Sequence, residues 1–355
     1  MATSLSAHFR GLSALILAVA LTAIGVRTYL QSDPTRFPGV GPGAPKIVYI
    51  KPKTGVQEIA QTLWGAGVIR SRWAFLGMAY LQGSPTRLKA GEYEFTHGMS
   101  LREILQKLEA GRVVTHQITI PEGFTARDIA RLLAGEKLVD ADRFMALVAD
   151  ARFVEDLGVP GNTLEGYLFP DTYAFSRRVA TEEIVRQMVA RFAAVYRPEW
   201  DARAAELGMT RHQIVTLASI IEKETSAEAE RPFISGVFHN RLRRRIPLQS
   251  DPTVIYATPA FDGNLRKVDL VRDSPYNTYR RRGLPPGPIA NPGRAALEAA
   301  LYPAAVDYLY FVSKNNGTHH FSRSLREHNA AVNQFQRRGK ARPVSQRAAA
   351  VRRVS

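Results

Sequence analysis

The sequence contains no cysteine among its 355 residues. Disulfide bonds, thiolate nucleophiles and cysteine-based metal sites are therefore excluded, although this absence is compatible with any cellular compartment. Acidic residues are few: 32 Asp and Glu stand against 48 Lys and Arg, which gives a net charge of +16 and a pI near 10.2. This imbalance predicts attraction to polyanions, whether nucleic acid, anionic lipid or an acidic cell-wall polymer.

Several familiar catalytic patterns are also absent. The sequence has no H-E-x-x-H metalloprotease motif, no G-x-S-x-G nucleophile elbow and no P-loop. His319 and His320 are adjacent and lack the spacing of metal ligands. We therefore expect neither a metal nor a cofactor.

One uncharged apolar run lies near the N-terminus. It covers residues 11–26 (GLSALILAVALTAIGV), and extension to residue 30 brings it to the roughly 20 residues that span a bilayer. The alternative is a cleaved signal peptide, because the small residues at 18–20 resemble a cleavage site. We favour an uncleaved anchor at residues 11–30, preceded by a cytoplasmic N-terminus at 1–10, because the apolar run continues beyond that site. Both interpretations predict export of the remaining chain.

Three strand–turn–helix patterns follow a linker rich in Pro and Gly at residues 31–45. Each pattern places a glycine turn before an amphipathic helix, and Ser100 with Glu103 matches a capping box. Any single copy could reflect ordinary local folding, whereas three copies favour a small α+β module over residues 46–135. The three patterns lie at residues 54–63, 97–105 and 122–130.

The region at residues 136–335 is predicted to be a mainly helical, mixed α/β domain. Thr210 with Gln213 predicts the start of a helix whose apolar side chains recur at helical spacing. Glu222 and Glu224 follow on the two flanks of the buried face, since two residues advance about 200° around a helix. A carboxyl held against apolar surface keeps its proton near neutral pH and can donate it. Periodicity does not choose between the two, and for an arbitrary helix a solvated glutamate would be the commoner outcome.

The loop at residues 164–173 interrupts the helical region with glycine, proline and aromatic residues. It contains two acidic side chains, Glu165 and Asp171, that could touch a substrate. Acidic groups in loops usually cap backbone amides or face solvent, so we expect structural roles for both.

Amide, aromatic and carboxylate side chains of the kinds that bind sugar hydroxyls and N-acetyl groups follow the helix. Each has a structural alternative, since amides pair with loop backbone, loop aromatics pack together, and Asp251 before Pro252 could cap a helix. Asn240 and Gln249 would be functional if they line a groove near Glu222. The candidate substrate-binding residues are Asn240, Gln249, Asp251, Tyr256, Tyr276, Asn277 and Tyr279.

The C-terminal segment is strongly basic. After Glu327 no acidic residue occurs, and residues 336–355 contain few apolar side chains to bury. We expect this segment to be a disordered tail. It would be either a solvated terminus or a weak electrostatic tether to anionic lipid or wall polymer.

Several sequence motifs follow one another along the second half of the chain. They are LASIIEKE at 217–224, FHNRL at 238–242, LQSDPTVIYA at 248–257, SPYNTY at 274–279, GLPPGPIANPG at 283–293, YLYFV at 308–312 and HFSRSLREHN at 320–329. Taken together and in order, these motifs resemble those of the endolytic murein transglycosylase (YceG-like) family. The resemblance implies that Glu222 is the catalytic acid and that residues 46–135 form a LysM-like carbohydrate-binding unit. Ser250 departs from the family pattern, in which threonine is common, but the change is conservative.

The resemblance further implies a lytic transglycosylase that cleaves within nascent glycan strands and needs no cofactor. Glu222 would protonate the glycosidic oxygen between N-acetylmuramic acid and N-acetylglucosamine, then accept the proton of the muramyl 6-hydroxyl as a 1,6-anhydro ring closes. The implied location is the bacterial inner membrane, spanned once, with the catalytic domain on the periplasmic side. Peptidoglycan strands are the expected substrate, membrane lipid contacts the N-terminal helix, and peptidoglycan synthases are candidate partners.

Three other interpretations stay open at this point. A non-catalytic, membrane-anchored scaffold could bind peptidoglycan through the LysM-like unit. A lysozyme-like hydrolase would leave reducing ends in place of anhydro ends. The basic charge alone would fit a nucleic-acid-binding protein, but the export segment and the lack of a recognition motif argue against one, and we expect no nucleic-acid partner.

Overall fold

The computed structural model describes residues 20–22, 24, 44–258 and 261–337. These residues form a mixed α+β structure that is mostly helical and contains three two-stranded sheets. The α+β class predicted from the sequence is thereby confirmed. Within the described ranges, no helix has the length and apolar character needed to cross a membrane.

Three predictions concern segments that lie almost entirely outside the described residues. They are the anchor at residues 11–30, the linker at 31–45 and the basic tail at 336–355. All three stay predictions.

The described chain divides into two compact units. The first contains the described residues up to His116 together with Ala174–Arg178. Strands β1 and β2 run antiparallel, and helices α1 to α3 bury their apolar faces in the core of this unit. Its elements are β1 (Lys46–Ile50), α1 (Val56–Gly65), α2 (Arg72–Leu81), β2 (Gly91–Phe95) and α3 (Leu101–Ala110).

Helix α3 shows how local sequence fixes these elements. The Ser100 side chain accepts a hydrogen bond from the Glu103 N–H, and the Glu103 carboxylate accepts one from the Ser100 N–H at 2.7 Å. The predicted capping box is therefore confirmed. The helix ends at Gly111, whose φ of 68° is the left-handed conformation that glycine adopts without strain.

The second unit contains Gln117–Tyr173 and the described residues from Val179 onward. Its first helix begins with a capping box between Thr125 and Asp128. The helices are α4 (Ala126–Gly135), α5 (Ala141–Val148), α6 (Ala151–Asp156), α7 (Thr181–Val195), α8 (Pro198–Glu206), α9 (Arg211–Glu224), α10 (Arg231–Arg243), α11 (Asp251–Tyr256), α12 (Lys267–Leu270), α13 (Arg294–Leu301) and α14 (Leu325–Val332). Strands β3 (His116–Thr119) and β4 (Thr172–Phe175) form the second sheet, and β5 (Tyr310–Ser313) pairs antiparallel with β6 (His319–Ser322).

Helix α9 lies at the centre of the second unit. It begins at the predicted capping box of Thr210 and Gln213, and its residues 214–221 are all buried. The sequence predicted one apolar stripe, but α10, α11 and α13 pack around the helix, so small polar side chains such as Ser219 are buried too. This central helix carries Glu222 and Glu224 on its last turn.

Candidate active site

Glu222 is a nearly buried carboxyl at the end of α9, with 5% of its side chain exposed. Its Oε1 accepts a hydrogen bond from Arg231 Nη2 at 2.8 Å, and its Oε2 accepts one from the Gly293 N–H at 2.9 Å. Burial raises the pKa of Glu222 above its ordinary value, although the Gly293 N–H and the Arg231 charge act in the opposite direction. The carboxyl therefore retains its proton better than an exposed glutamate, while two donors can stabilise its anion.

Arg231 bridges Glu222 to a second carboxylate. Its Nη2 lies 3.6 Å from Glu122 Oε2, and the negative charge of Glu122 also raises the pKa of Glu222. A Cβ on Gly293 would lie 1.9 Å from Glu122 Oε1, so glycine leaves Glu122 room to approach. Because Arg231 is buried, removing both of its partners would leave an uncompensated charge, whereas either carboxylate alone can still balance it.

Glu224 faces a different environment from Glu222. Its Oε1 accepts a hydrogen bond from the Ser250 hydroxyl. Burial raises the pKa of Glu224 to about 7, and the charge of Asp251 adds to this effect, whereas Ser250 and Arg241 oppose it. A carboxyl with this pKa is partly protonated near neutral pH and can donate its proton.

A cavity of about 540 Å³ is lined by Glu224 together with three predicted substrate-binding residues, Gln249, Asp251 and Tyr279. The Tyr279 hydroxyl donates to Asp251 Oδ1 at 2.6 Å, and Arg241 Nη1 donates to Gln249 Oε1 at 3.3 Å. Gln249 has a φ of 51°, a left-handed conformation that costs a non-glycine residue roughly 1–3 kcal/mol and that clusters at functional sites. The cavity therefore combines a titratable carboxyl with polar side chains held in fixed positions.

Asp251 does not cap a helix as the Asp-Pro pattern allowed. The N-cap of α11 is Ser250, and Asp251 is the first helical residue. The capping interpretation of Asp251 is therefore wrong, because the helix starts one residue earlier and leaves this carboxylate to accept from Tyr279.

Two of the predicted substrate-binding amides instead satisfy backbone groups. Asn240 Nδ2 donates to the carbonyls of Val306 and Tyr308 at 2.7 and 2.9 Å. Asn277 Nδ2 likewise donates to two backbone carbonyls, at 3.0 and 2.7 Å. Both side chains are buried, and neither is among the residues that line the cavity with Glu224.

Tyr256 and Tyr276 form a separate cluster around a third buried carboxyl. Their ring centroids lie 5.1 Å apart, and the Tyr256 hydroxyl donates to Glu165 Oε2 at 3.3 Å. Glu165 also accepts from the Ala126 N–H at the start of α4, at 2.9 Å, as expected of a structural loop carboxylate. Burial raises the pKa of Glu165 to about 7. No local sequence pattern predicts that Tyr256 would contact Glu165.

Asn291 is a central residue that sequence reasoning missed. It is fully buried, and its Oδ1 accepts from the N–H groups of Gly166 and Leu168 at 2.8 and 2.9 Å. Its Nδ2 donates to the Phe124 carbonyl at 2.9 Å and to Glu165 Oε1 at 3.0 Å. The available signal was one amide inside a motif made otherwise of glycine, proline and apolar residues.

No group of three or more His, Asp or Glu side chains within the described residues could hold a metal ion. The His319 ring lies against a carboxylate, with its Nδ1 2.7 Å from Glu230 Oε2. Its backbone N–H donates to the other oxygen of Glu230 at 2.9 Å. These contacts fix His319 in the wall of the cavity.

Replacing Glu224 by Gln should change how stability depends on pH. Because the pKa of Glu224 is about 7 in the folded protein and about 4.3 in an unfolded chain, the wild type loses stability as pH rises through this window. Gln imitates the protonated form and avoids that loss, which amounts to up to ~4 kcal/mol. Thermal unfolding should show that the melting temperature of Glu224→Gln, relative to that of the wild type, is higher at pH 8 than at pH 5. An identical difference at both pH values would contradict the prediction.

Comparisons with known proteins agree on one family. The model of the YceG-like family matches residues 48–334. An endolytic murein transglycosylase of Bacillus subtilis (strain 168) is 36% identical over 301 residues, which cover 79% of this chain and 82% of the relative. Another, from Streptococcus pneumoniae serotype 2 (strain D39 / NCTC 7466), is 32% identical over 311 residues, 79% of this chain and 56% of that longer protein. The crystal structure of a yceG-like protein from Listeria monocytogenes has a TM-score of 0.56 at 34% identity and covers 81% of this chain and 98% of its own.

Proposed function

The chain belongs to the YceG-like family, and from this premise we propose that it is an endolytic murein transglycosylase. It would cut peptidoglycan glycan strands internally, between N-acetylmuramic acid and N-acetylglucosamine, and leave a 1,6-anhydro end on the muramic acid. Such cleavage limits the length of nascent strands. The observation that carries the proposal is the buried carboxyl of Glu222, which has two anion-stabilising donors beside it.

Glu222 would act first as an acid and then as a base. Its raised pKa favours the protonated form, which donates to the glycosidic oxygen as the bond to the anomeric carbon breaks. The resulting carboxylate is stabilised by the Arg231 guanidinium and the Gly293 N–H. It then accepts the proton of the muramyl 6-hydroxyl, whose oxygen bonds to the anomeric carbon and closes the anhydro ring. The proton count balances without water and without a second obligatory carboxylate.

The cavity beside Glu224 would bind the glycan next to the scissile bond; Glu222, two residues earlier on the same helical turn, is not among its lining residues. Gln249, Asp251 and Tyr279 supply the amide, carboxylate and hydroxyl groups that pair with sugar hydroxyls and N-acetyl groups. The Tyr279–Asp251 hydrogen bond and the Arg241–Gln249 hydrogen bond hold these side chains in place before substrate arrives, which lowers the entropy cost of binding. Tyr256 and Tyr276, and the amides of Asn240 and Asn277, would support the surrounding loops.

The ends of the cleaved strands test this proposal. Purified glycan strands incubated with the protein should yield short internal fragments whose mass shows anhydro-muramic ends. Reducing ends would identify a hydrolase, and binding without cleavage would identify a scaffold. Glu222→Gln protein, prepared in parallel, controls for contaminating enzymes.

The proposed arrangement along the chain places the enzyme at the inner membrane, with its catalytic domain on the periplasmic side. It has a cytoplasmic N-terminus at 1–10 and a single-pass anchor at 11–30, followed by a linker. After the linker come a LysM-like module at 46–135, a catalytic domain at 136–335 and a basic tail. Lipid would contact the anchor, and peptidoglycan synthases are the proposed protein partners.

A reporter fusion tests the location. A reporter that is active only outside the cytoplasm should be active when attached after Ser355, because residues 11–30 direct export. The same fusion to a chain that starts at residue 44 should be inactive. A mature, fully soluble protein beginning near Leu21 would show a cleaved signal peptide and would overturn the anchor.

A further inference from the structure

The first unit exposes four large apolar side chains on the outer sides of α1 and α2. Tyr80 and Leu81 follow Trp73 by about two helical turns, so the three lie on one side of α2. Trp73 is 70% exposed, although large aromatic groups are normally buried. We call the four residues the aromatic face; they are Trp64, Trp73, Tyr80 and Leu81.

Arg72 joins the two helices into one surface. Its Nη1 donates to Gln61 Oε1 at 3.1 Å, and its guanidinium carbon lies 4.9 Å from the centre of the Trp73 ring. Gln61 precedes Trp64 by about one turn on the exposed side of α1. The two tryptophans therefore belong to the same surface, with a fixed positive charge in it.

The sequence around the aromatic face is rich in basic residues, one of which, Arg87, pairs with Glu109 at 3.0 Å. Between Glu58 and Glu92 the sequence contains no Asp or Glu but four basic residues, and α2 itself has no acidic side chain. Trp and Tyr prefer the boundary between water and hydrocarbon, and neighbouring cations attract anionic headgroups. We infer that the aromatic face binds the headgroup layer of an anionic membrane. The four basic residues are Arg70, Arg72, Arg87 and Lys89.

Lipid fits this surface better than a glycan does. Sugar hydroxyls need acceptors, but the stretch has no carboxylate, and the Gln61 oxygen already accepts from Arg72. The half-exposed Leu81 would remove apolar surface from water by entering an apolar layer. The anchor proposed at residues 11–30 would keep the unit near a membrane, since the linker at 31–45 spans at most roughly 50 Å.

The position of the three tryptophans in the chain makes the inference testable with the intact protein. Trp200 lies in the other unit and is 3% exposed, and the proposed anchor contains no tryptophan. We compare the full chain with its Trp64→Phe/Trp73→Phe variant, which retains only Trp200 and changes only surface positions. Both are reconstituted into vesicles of phosphatidylglycerol and phosphatidylcholine with a lipid brominated near the headgroup.

In brominated vesicles, the fluorescence that Trp64 and Trp73 contribute to the wild type should fall by about half. The fluorescence of the double variant, which comes from Trp200 alone, should hardly change. Charge reversal by Arg70→Glu and Arg72→Glu should abolish the quenching. Equal quenching of the wild type and the double variant would overturn the inference. Protection of Trp73 from aqueous acrylamide by soluble glycan fragments, without lipid, would assign the face to sugar. Protection that depends on protein concentration in detergent would assign it to a second copy of the chain.

Discussion

Glu222→Gln should fold and yet lose strand cleavage by about a thousandfold or more, because an amide cannot transfer the proton. The Gln carbonyl can still accept from Arg231 or from the Gly293 N–H, and Glu122 continues to balance the charge of Arg231. Release of anhydro-ended fragments from purified glycan strands measures the loss. Circular dichroism and the melting temperature report whether the fold is retained.

Two further variants make this result specific. Glu224→Gln removes the other titratable carboxyl of the same helical turn, and Glu298→Gln removes an exposed carboxylate that pairs with Arg294 on α13. Glu298→Gln should keep full activity, and Glu224→Gln should lose less activity than Glu222→Gln. Loss confined to Glu224→Gln would transfer the role of acid to Glu224.

The features that the sequence predicted well depend on neighbours a few residues away. The capping boxes at Ser100 and Thr210 form between residues three positions apart, so both could be recognised from the sequence. The last turn of α9 follows from the same local rules, and it places two carboxylates at the edge of the buried region. The local sequence pattern therefore predicted the helix and identified both candidate acids.

The surroundings of the two carboxylates depend on distant parts of the chain. Glu222 meets Gly293, 71 residues later, and Glu224 meets Ser250, 26 residues later. The periodicity of apolar residues describes a single helix, and it does not predict which distant segments of the chain pack against that helix. The same limit explains why Gln249 lines a cavity while Asn240, on the preceding helix, pairs with the Val306 carbonyl.

Asn291 illustrates this limit most clearly, and replacing it should have the largest effect on stability. Asn291→Leu keeps the branched shape but leaves the buried N–H groups of Gly166 and Leu168 without their acceptor, whereas the Phe124 carbonyl still accepts from the backbone N–H of residue 291. Each such group costs about 1–3 kcal/mol, so the total approaches the ~5–15 kcal/mol that holds a typical domain folded. We expect a loss of about 2–6 kcal/mol in the free energy of unfolding, measured by urea denaturation.

The pH dependence of a second variant separates hydrogen bonding from packing. Asn291→Asp retains acceptors for Gly166 and Leu168 but places a second carboxyl beside Glu165, whose pKa is already about 7. Below that pH the two groups can share a proton, whereas above it two buried negative charges repel one another. Asn291→Asp should therefore lose more stability relative to the wild type at pH 8 than at pH 5. Asn264→Leu, at an exposed loop position, should unfold like the wild type at both pH values. A pH-independent loss in Asn291→Asp would show that the site tolerates two carboxylates and depends on shape alone.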